Sequence, residues 1–204
     1  LIFFNSIKKK DTQVKILNLS KNYVGEEIIQ KIRKLKSKIP LKNNEAFLIT
    51  SPENIGWLSN IRVIKNSFSK ILNCIAIFNK NRIYIFTDFP IKSKINYVTF
   101  KKNSELTKYI TKYKKIYLDK NYTNIFYFNK IIKENINVDY IKDPIDNLKS
   151  IKNSTEISNF KIAHIFDGIA YIKFFFWLKN NTLKKISERG CQKKIKFFKK
   201  KNKF

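Results

Sequence analysis

The sequence predicts an α/β domain with a mixed sheet, followed by a helical segment of a different character. Three observations carry that prediction. Short apolar runs alternate with helical rhythms along the first part of the chain. Two of those runs, residues 71–78 and 83–86, are joined by Asn79-Lys80-Asn81-Arg82, a hairpin signal. Beyond Asp143-Pro144 the short strands cease and one long apolar helical pattern takes over.

Taken in order, residues 1–22 read as an irregular, basic N-terminal segment. Gly25 then precedes Glu26 and Glu27 and an apolar rhythm at Ile28, Ile29, Ile32, Leu35 and Ile39. This is helical spacing, with acids first and bases last, as the helix dipole prefers. Pro40 ends it. Residues 46–50 read as a buried strand. Ser51-Pro52-Glu53 is a helix start, with serine as the cap and proline at the first helical position, leading into Trp57-Leu58. After the hairpin, residues 97–100 form a short strand, and Ser104 caps a helix reaching about Tyr113. Residues 116–118 are a strand, 122–134 a helix and 138–141 a final strand. The mixed α/β domain thus covers residues 23–145, without an internal repeat.

The remainder, residues 146–204, opens with Asn153-Ser154-Thr155-Glu156, which resembles a capping box. A long helix follows to about Lys179. Ile157, Phe160, His164, Asp167, Tyr171, Phe175 and Leu178 share one side of it. Ile162, Ile165, Ile169, Ile172 and Phe176 share another, so the helix expects cover on both sides. It falls short of the ~20 apolar residues a membrane span needs, being interrupted by His164, Asp167 and Lys173. Residues 182–198 read as a second helix. The end, residues 193–204, is basic with interspersed phenylalanine and has no clear fold signal.

Composition narrows the function. The chain has 204 residues with 18 Phe and 10 Tyr, enough for a packed core. It starts at Leu1 and contains no Met, which fits a processed or clipped sequence, and no signal peptide is visible. The net charge of +28 comes from 43 Lys+Arg against 15 Asp+Glu. Almost all of the cations are lysine. Arginine, which reads phosphates and guanine edges bidentately, stands only at Arg33, Arg62, Arg82 and Arg189. Lysine, asparagine and isoleucine are heavily used throughout, so the charge reads as compositional bias more than as a binding footprint. Cys74 and Cys191 lie far apart without ligand spacing, as expected of a reduced, cytoplasmic protein.

His164 is the single histidine, with Asp167 one helical turn away. A ligand pair and a packed helix histidine are the two readings, and the lack of a second His or a Cys cluster favours packing. Asp88, Asp119 and Asp139 stand at or near strand edges, where carboxylates either hold magnesium in a nuclease or begin turns; turns are favoured. No glycine-rich phosphate loop occurs. The basic end with Phe198 reads as solvated more readily than as a single-stranded nucleic-acid or acidic-membrane binder.

Three stretches carry a family resemblance. They are Tyr23-Val24-Gly25 with Lys31; residues 52–62, which contain Trp57-Leu58-Ser59-Asn60-Ile61-Arg62; and Ile151-Lys152-Asn153 with Glu156, continuing through residues 163–170 to Trp177-Leu178. Ser187-Glu188 extends the third. Together they resemble the Xaa-Pro aminopeptidases, or aminopeptidase P, of the pita-bread metallopeptidases. The sequence departs after Arg62, where Val63-Ile64-Lys65-Asn66 replaces the family's Gly, Asp and Pro.

The resemblance implies a ribonuclease-H-like domain of the creatinase/prolidase N-terminal type, then the first helices of an incomplete pita-bread catalytic domain. It implies a truncated chain that carries no catalytic and no metal-ligating residue and binds no cofactor. The intact enzyme would hold two divalent metal ions, typically manganese. It would remove the residue preceding proline from peptides with proline in second position, and a homodimer is an option for it. Trp57, Asn60 and Arg62 are the motif residues, with an architectural or substrate-entrance role. No firm nucleic-acid or membrane partner is assigned. The alternative is a basic module that binds nucleic acid or acidic lipid without catalysis.

Overall fold

A computed structural model describes residues 14–64, 69–181 and 186–201. The chain divides into two compact units, Leu1–Ile151 and Lys152–Phe204. In the first unit β1 (Ile16–Asn18) and α1 (Lys21–Val24) lead through Gly25 into α2 (Ile28–Lys38). Gly25 has φ 74°, a left-handed cap that suits glycine, and its N–H bonds to the Lys21 carbonyl. There follow β2 (Glu45–Ile49), α3 (Pro52–Leu58), β3 (Ile61–Val63), β4 (Ile75–Asn79) and β5 (Arg82–Phe86). Next come β6 (Val98–Lys101), α4 (Leu106–Ile110), β7 (Lys115–Leu118), α5 (Ile125–Lys133), β8 (Asn137–Tyr140) and α6 (Pro144–Ser150).

Six strands form one mixed sheet in the order β6-β5-β4-β2-β7-β8. β2, β7 and β8 run parallel, as do β5 and β6, while β4 lies antiparallel to both of its neighbours. Side chains alternate between its faces, which is why two cores form. Phe47, Ile49, Ala76, Phe78, Ile83 and Ile85 face α2, α3 and α6. Ala46, Leu48, Ile75, Ile77, Ile116 and Leu118 face α4 and α5. β2 is central and buried along its whole length, so from Ala46 to Ile49 it reads as a continuous apolar run with no alternation.

The mixed α/β class follows the sequence reading, with local differences that have physical causes. Within the N-terminal stretch read as irregular, Ile16–Asn18 form a strand paired antiparallel with β3, a partner more than 40 residues away. Ser104 is not a cap. The turn there is a single 3₁₀ stretch, Asn103–Glu105, in which the Glu105 carboxylate accepts from the Lys102 N–H, and α4 ends at Ile110. Residues 122–124 precede α5, because the Asn124 side chain takes the Tyr127 N–H and fixes the helix start. Pro144 opens α6, with the Asp143 carboxylate accepting the Ile145 N–H as its cap.

In the second unit α7 (Ser154–Lys179) starts on a complete capping box: Glu156 N–H to the Asn153 side chain, and Asn153 N–H to Glu156. α8 (Glu188–Lys201) carries the basic stretch that had no evident fold signal. Ala170 is buried, whereas Ile165, Ile172, Phe175 and Phe176 stand exposed. Among the described residues no helix is long and apolar enough to cross a membrane. Residues 1–13 of the N-terminal stretch, Lys65-Asn66 of the departing loop, residues 182–185 of the second helix and residues 202–204 of the basic end lie outside the described residues.

Candidate functional site

The turn from α3 into β3 holds the motif Trp57-Leu58-Ser59-Asn60-Ile61-Arg62. Ser51 caps α3 by accepting the Asn54 N–H, and Pro52 occupies its first turn. The Ser59 hydroxyl donates to the Ile55 carbonyl at 2.6 Å and closes the helix. Asn60 then reverses the chain with φ 55°, a left-handed conformation that asparagine tolerates better than most residues.

That conformation is held from three directions. The Asn60 amide Nδ2 donates to the Glu26 carbonyl at 2.9 Å, and its Oδ1 accepts from the Lys31 ammonium at 2.6 Å. Its carbonyl accepts the Leu19 N–H at 2.8 Å, which ties the end of β1 to the turn. Lys31 is fully buried, at 1% exposure. Its ammonium also donates to the Trp57 carbonyl at 2.8 Å and lies 4.2 Å from the centre of the Trp57 ring. A charged group survives such burial because carbonyl dipoles and a π-face replace water.

Trp57 itself lies in the core that faces α2 and α3, with its indole Nε1 buried and without a hydrogen-bond partner among the described residues. Arg62 is half-buried, and its Nη1 donates to the Gly56 and Ile61 carbonyls at 2.7 Å each. Desolvation by burial lowers its pKa from the ordinary guanidinium value. A Cβ on Gly56 would sit 3.4 Å from this guanidinium, so glycine there gives it room. Trp57 is thus a core residue, Arg62 braces the turn, and Asn60, itself buried at 3% exposure, is locked inside it.

Asn60 lines a cavity of about 370 Å³ between the β1–α1 segment, the first turn of α2 and the loop ahead of β6. Lys21, Glu27, Lys94 and Tyr97 line it with Asn60.

The other titratable candidates are dispersed. His164 is exposed, with the Phe160 ring 6.0 Å away centre to centre, and Asp167 pairs with Lys199 at 2.9 Å. Asp139 on β8 pairs with Lys115 of β7 at 2.6 Å. Asp119 is buried just past β7, where its Oδ1 accepts the Asn121 N–H and its Oδ2 the Asp143 N–H, as a turn-forming aspartate does. Asp88 lies two residues past the end of β5. Among the described residues no three His, Cys, Asp or Glu side chains are grouped to hold a metal ion. Cys74 is buried, and burial followed by the nearby Glu53 pushes its thiol up to about 12, which makes it inert at neutral pH.

Sequence reasoning missed a polar cluster between α3 and α6. Fully buried Asn54 donates to Asp143 at 2.7 Å and to Asp146 at 3.0 Å, and accepts from Lys149 at 2.6 Å. Tyr122 donates to Asp146 at 3.0 Å. The spacing of Asp143, Asp146 and Lys149 along one helix was the available signal.

A hairpin set into an otherwise parallel sheet, flanked by helices and braced by a buried lysine at the α3–β3 turn, defines a class of α/β domain. Residues 8–156 match the Creatinase/Prolidase N-terminal domain family, and the chain belongs to that family. It is 26% identical over 203 residues to the Xaa-Pro aminopeptidase ApepP of Drosophila melanogaster, covering 92% of this chain and 33% of that protein. It is 23% identical over 180 residues to a probable Xaa-Pro aminopeptidase P of Laccaria bicolor, covering 82% and 28%. Among solved structures it resembles an X-prolyl aminopeptidase of Caenorhabditis elegans, described as a cytosolic enzyme with a di-nuclear active site. The TM-score is 0.77 at 19% identity, over 96% of this chain and 34% of that one. The chain therefore spans about a third of the length of the curated relatives it matches.

Proposed function

We propose that the chain supplies the creatinase/prolidase N-terminal-type part of a cytoplasmic Xaa-Pro aminopeptidase and the first helices of its peptidase domain. The substrates of the whole enzyme are peptides with proline in second position. In this reading its two divalent metal ions, typically manganese, are held by ligands that this chain does not supply. The role of this chain is scaffold and substrate entrance. Lys31 and Trp57 brace the turn, Arg62 pins it to α3, and Asn60 presents it to the cavity. The observation that carries this reading is the match over residues 8–156, joined to relatives that are Xaa-Pro aminopeptidases.

The test is hydrolysis of an Xaa-Pro peptide by the purified chain with added manganese. No turnover above buffer is expected. Turnover that disappears when a residue of this chain is substituted would overturn the assignment.

A further inference from the structure

Of the three described non-glycine residues with positive φ, two line the same cavity: Asn60 at 55° and Tyr97 at 65°. For a bulky aromatic residue this conformation is a real outlier, and such strain persists only where surroundings over-determine it. Here they do. The Tyr97 carbonyl accepts the Ile83 N–H at 2.9 Å, and the Val98 N–H closes a turn onto the Ile95 carbonyl at 3.1 Å. The opposite wall is fixed through the Asn60 carbonyl and the Leu19 N–H. The cavity is therefore preformed, and about 370 Å³ falls within the size range of small-molecule sites.

Its chemistry is polar and net positive. Lys21, on α1, and Lys94, on the loop ahead of β6, line it together with one carboxylate, Glu27. Glu27 sits at the start of α2, where the helix dipole already favours negative charge. Neither lysine is engaged in an ion pair among the described residues. Two amines carried by separate elements suit a carboxylate, and the Asn96 amide beside them suits a peptide group.

We infer that this cavity binds the C-terminal carboxylate of a short peptide, with Lys21 and Lys94 as its charge partners and Tyr97 as an apolar wall. The inference deepens the entrance role given to Asn60 and rests on that reading for its choice of a peptide as ligand.

Isothermal titration of the full chain tests it with Ala-Pro-Ala-Ala as the free acid, the same peptide as its C-terminal amide, and tetra-alanine. The free acid is expected to bind, and the amide about tenfold more weakly, one charge-assisted contact being worth about that factor. K21Q/K94Q is expected to lose the difference between acid and amide while its circular dichroism stays unchanged. Equal binding of acid and amide, full retention of binding in K21Q/K94Q, or equal competition by acetate would overturn the site. If tetra-alanine binds as well as the prolyl peptide, the carboxylate site stands and the proline-directed reading loses support.

Discussion

Lys31 shows what a single side chain contributes here. Its ammonium is enclosed by the Trp57 carbonyl, the Asn60 amide oxygen and the Trp57 ring. Lys31→Met keeps most of the apolar stem but takes the ammonium from the buried Asn60 amide oxygen, while the Trp57 carbonyl keeps the Asn60 N–H at 3.4 Å. A loss of roughly 1–3 kcal/mol is expected, read as a lower urea midpoint at unchanged slope. Asp143 sets a pH dependence. Burial holds its carboxyl above the ordinary 3.8, opposed in part by hydrogen bonds from Asn54 and the Ile145 N–H. The folded state then binds more protons than the unfolded one between 3.8 and that raised value. The resulting stability is full below 3.8 and is lost as pH rises through the raised value. Neighbouring Asp146 runs the other way. Burial raises it, but hydrogen bonds from Asn54 and Tyr122 and the Lys149 charge prevail and lower its pKa, so its contribution is lost as pH falls. Asp143→Asn keeps a capping oxygen and removes the titrating carboxyl. Its urea midpoint is therefore expected to hold up better than the parent's as pH rises from 4 to 7.

At the scale of elements, whatever had a local chemical cause was legible in the sequence. Ser51-Pro52 starts α3, Asn153 with Glu156 starts α7, and the two apolar runs around Asn79–Arg82 give β4 and β5. What depended on a distant partner was not legible. β1 and β3 have three residues each and are strands only because they pair with one another. Of the site, the Trp57–Arg62 motif and Lys31 were readable, but not that Lys31 is buried beneath Trp57, nor that Lys94 and Tyr97 come to Asn60 from a separate loop. The two apolar stripes read on α7 stand in the structure as exposed Ile165, Ile172, Phe175 and Phe176. Exposed apolar area of this kind drives association. The chain is expected to self-associate at micromolar concentration, and I172E/F176E to shift it towards the monomer in light scattering.

For the molecule as a whole, the net charge of +28 is its most conspicuous bulk property. The lysines are spread over both units, and several lie over aromatic rings: Lys101 and Lys112 over Tyr109, and Lys194 over Trp177 and Phe197. Charge dispersed in this way gives weak contacts that salt screens readily. In filter binding, nucleic acid is expected to be lost at physiological salt, and strong retention with a steep salt slope would instead favour the basic-module reading. The order of the sheet bears on how such a chain behaves in solution. Its outermost strands are β6 and β8. One of them bears Lys101 and the other Asp139, which is matched to Lys115 beside it. Ionic side chains on a border strand discourage a neighbouring polypeptide from zippering onto its backbone. Clumping of this protein would thus proceed through helix side chains and yield amorphous, detergent-reversible material instead of cross-β fibrils.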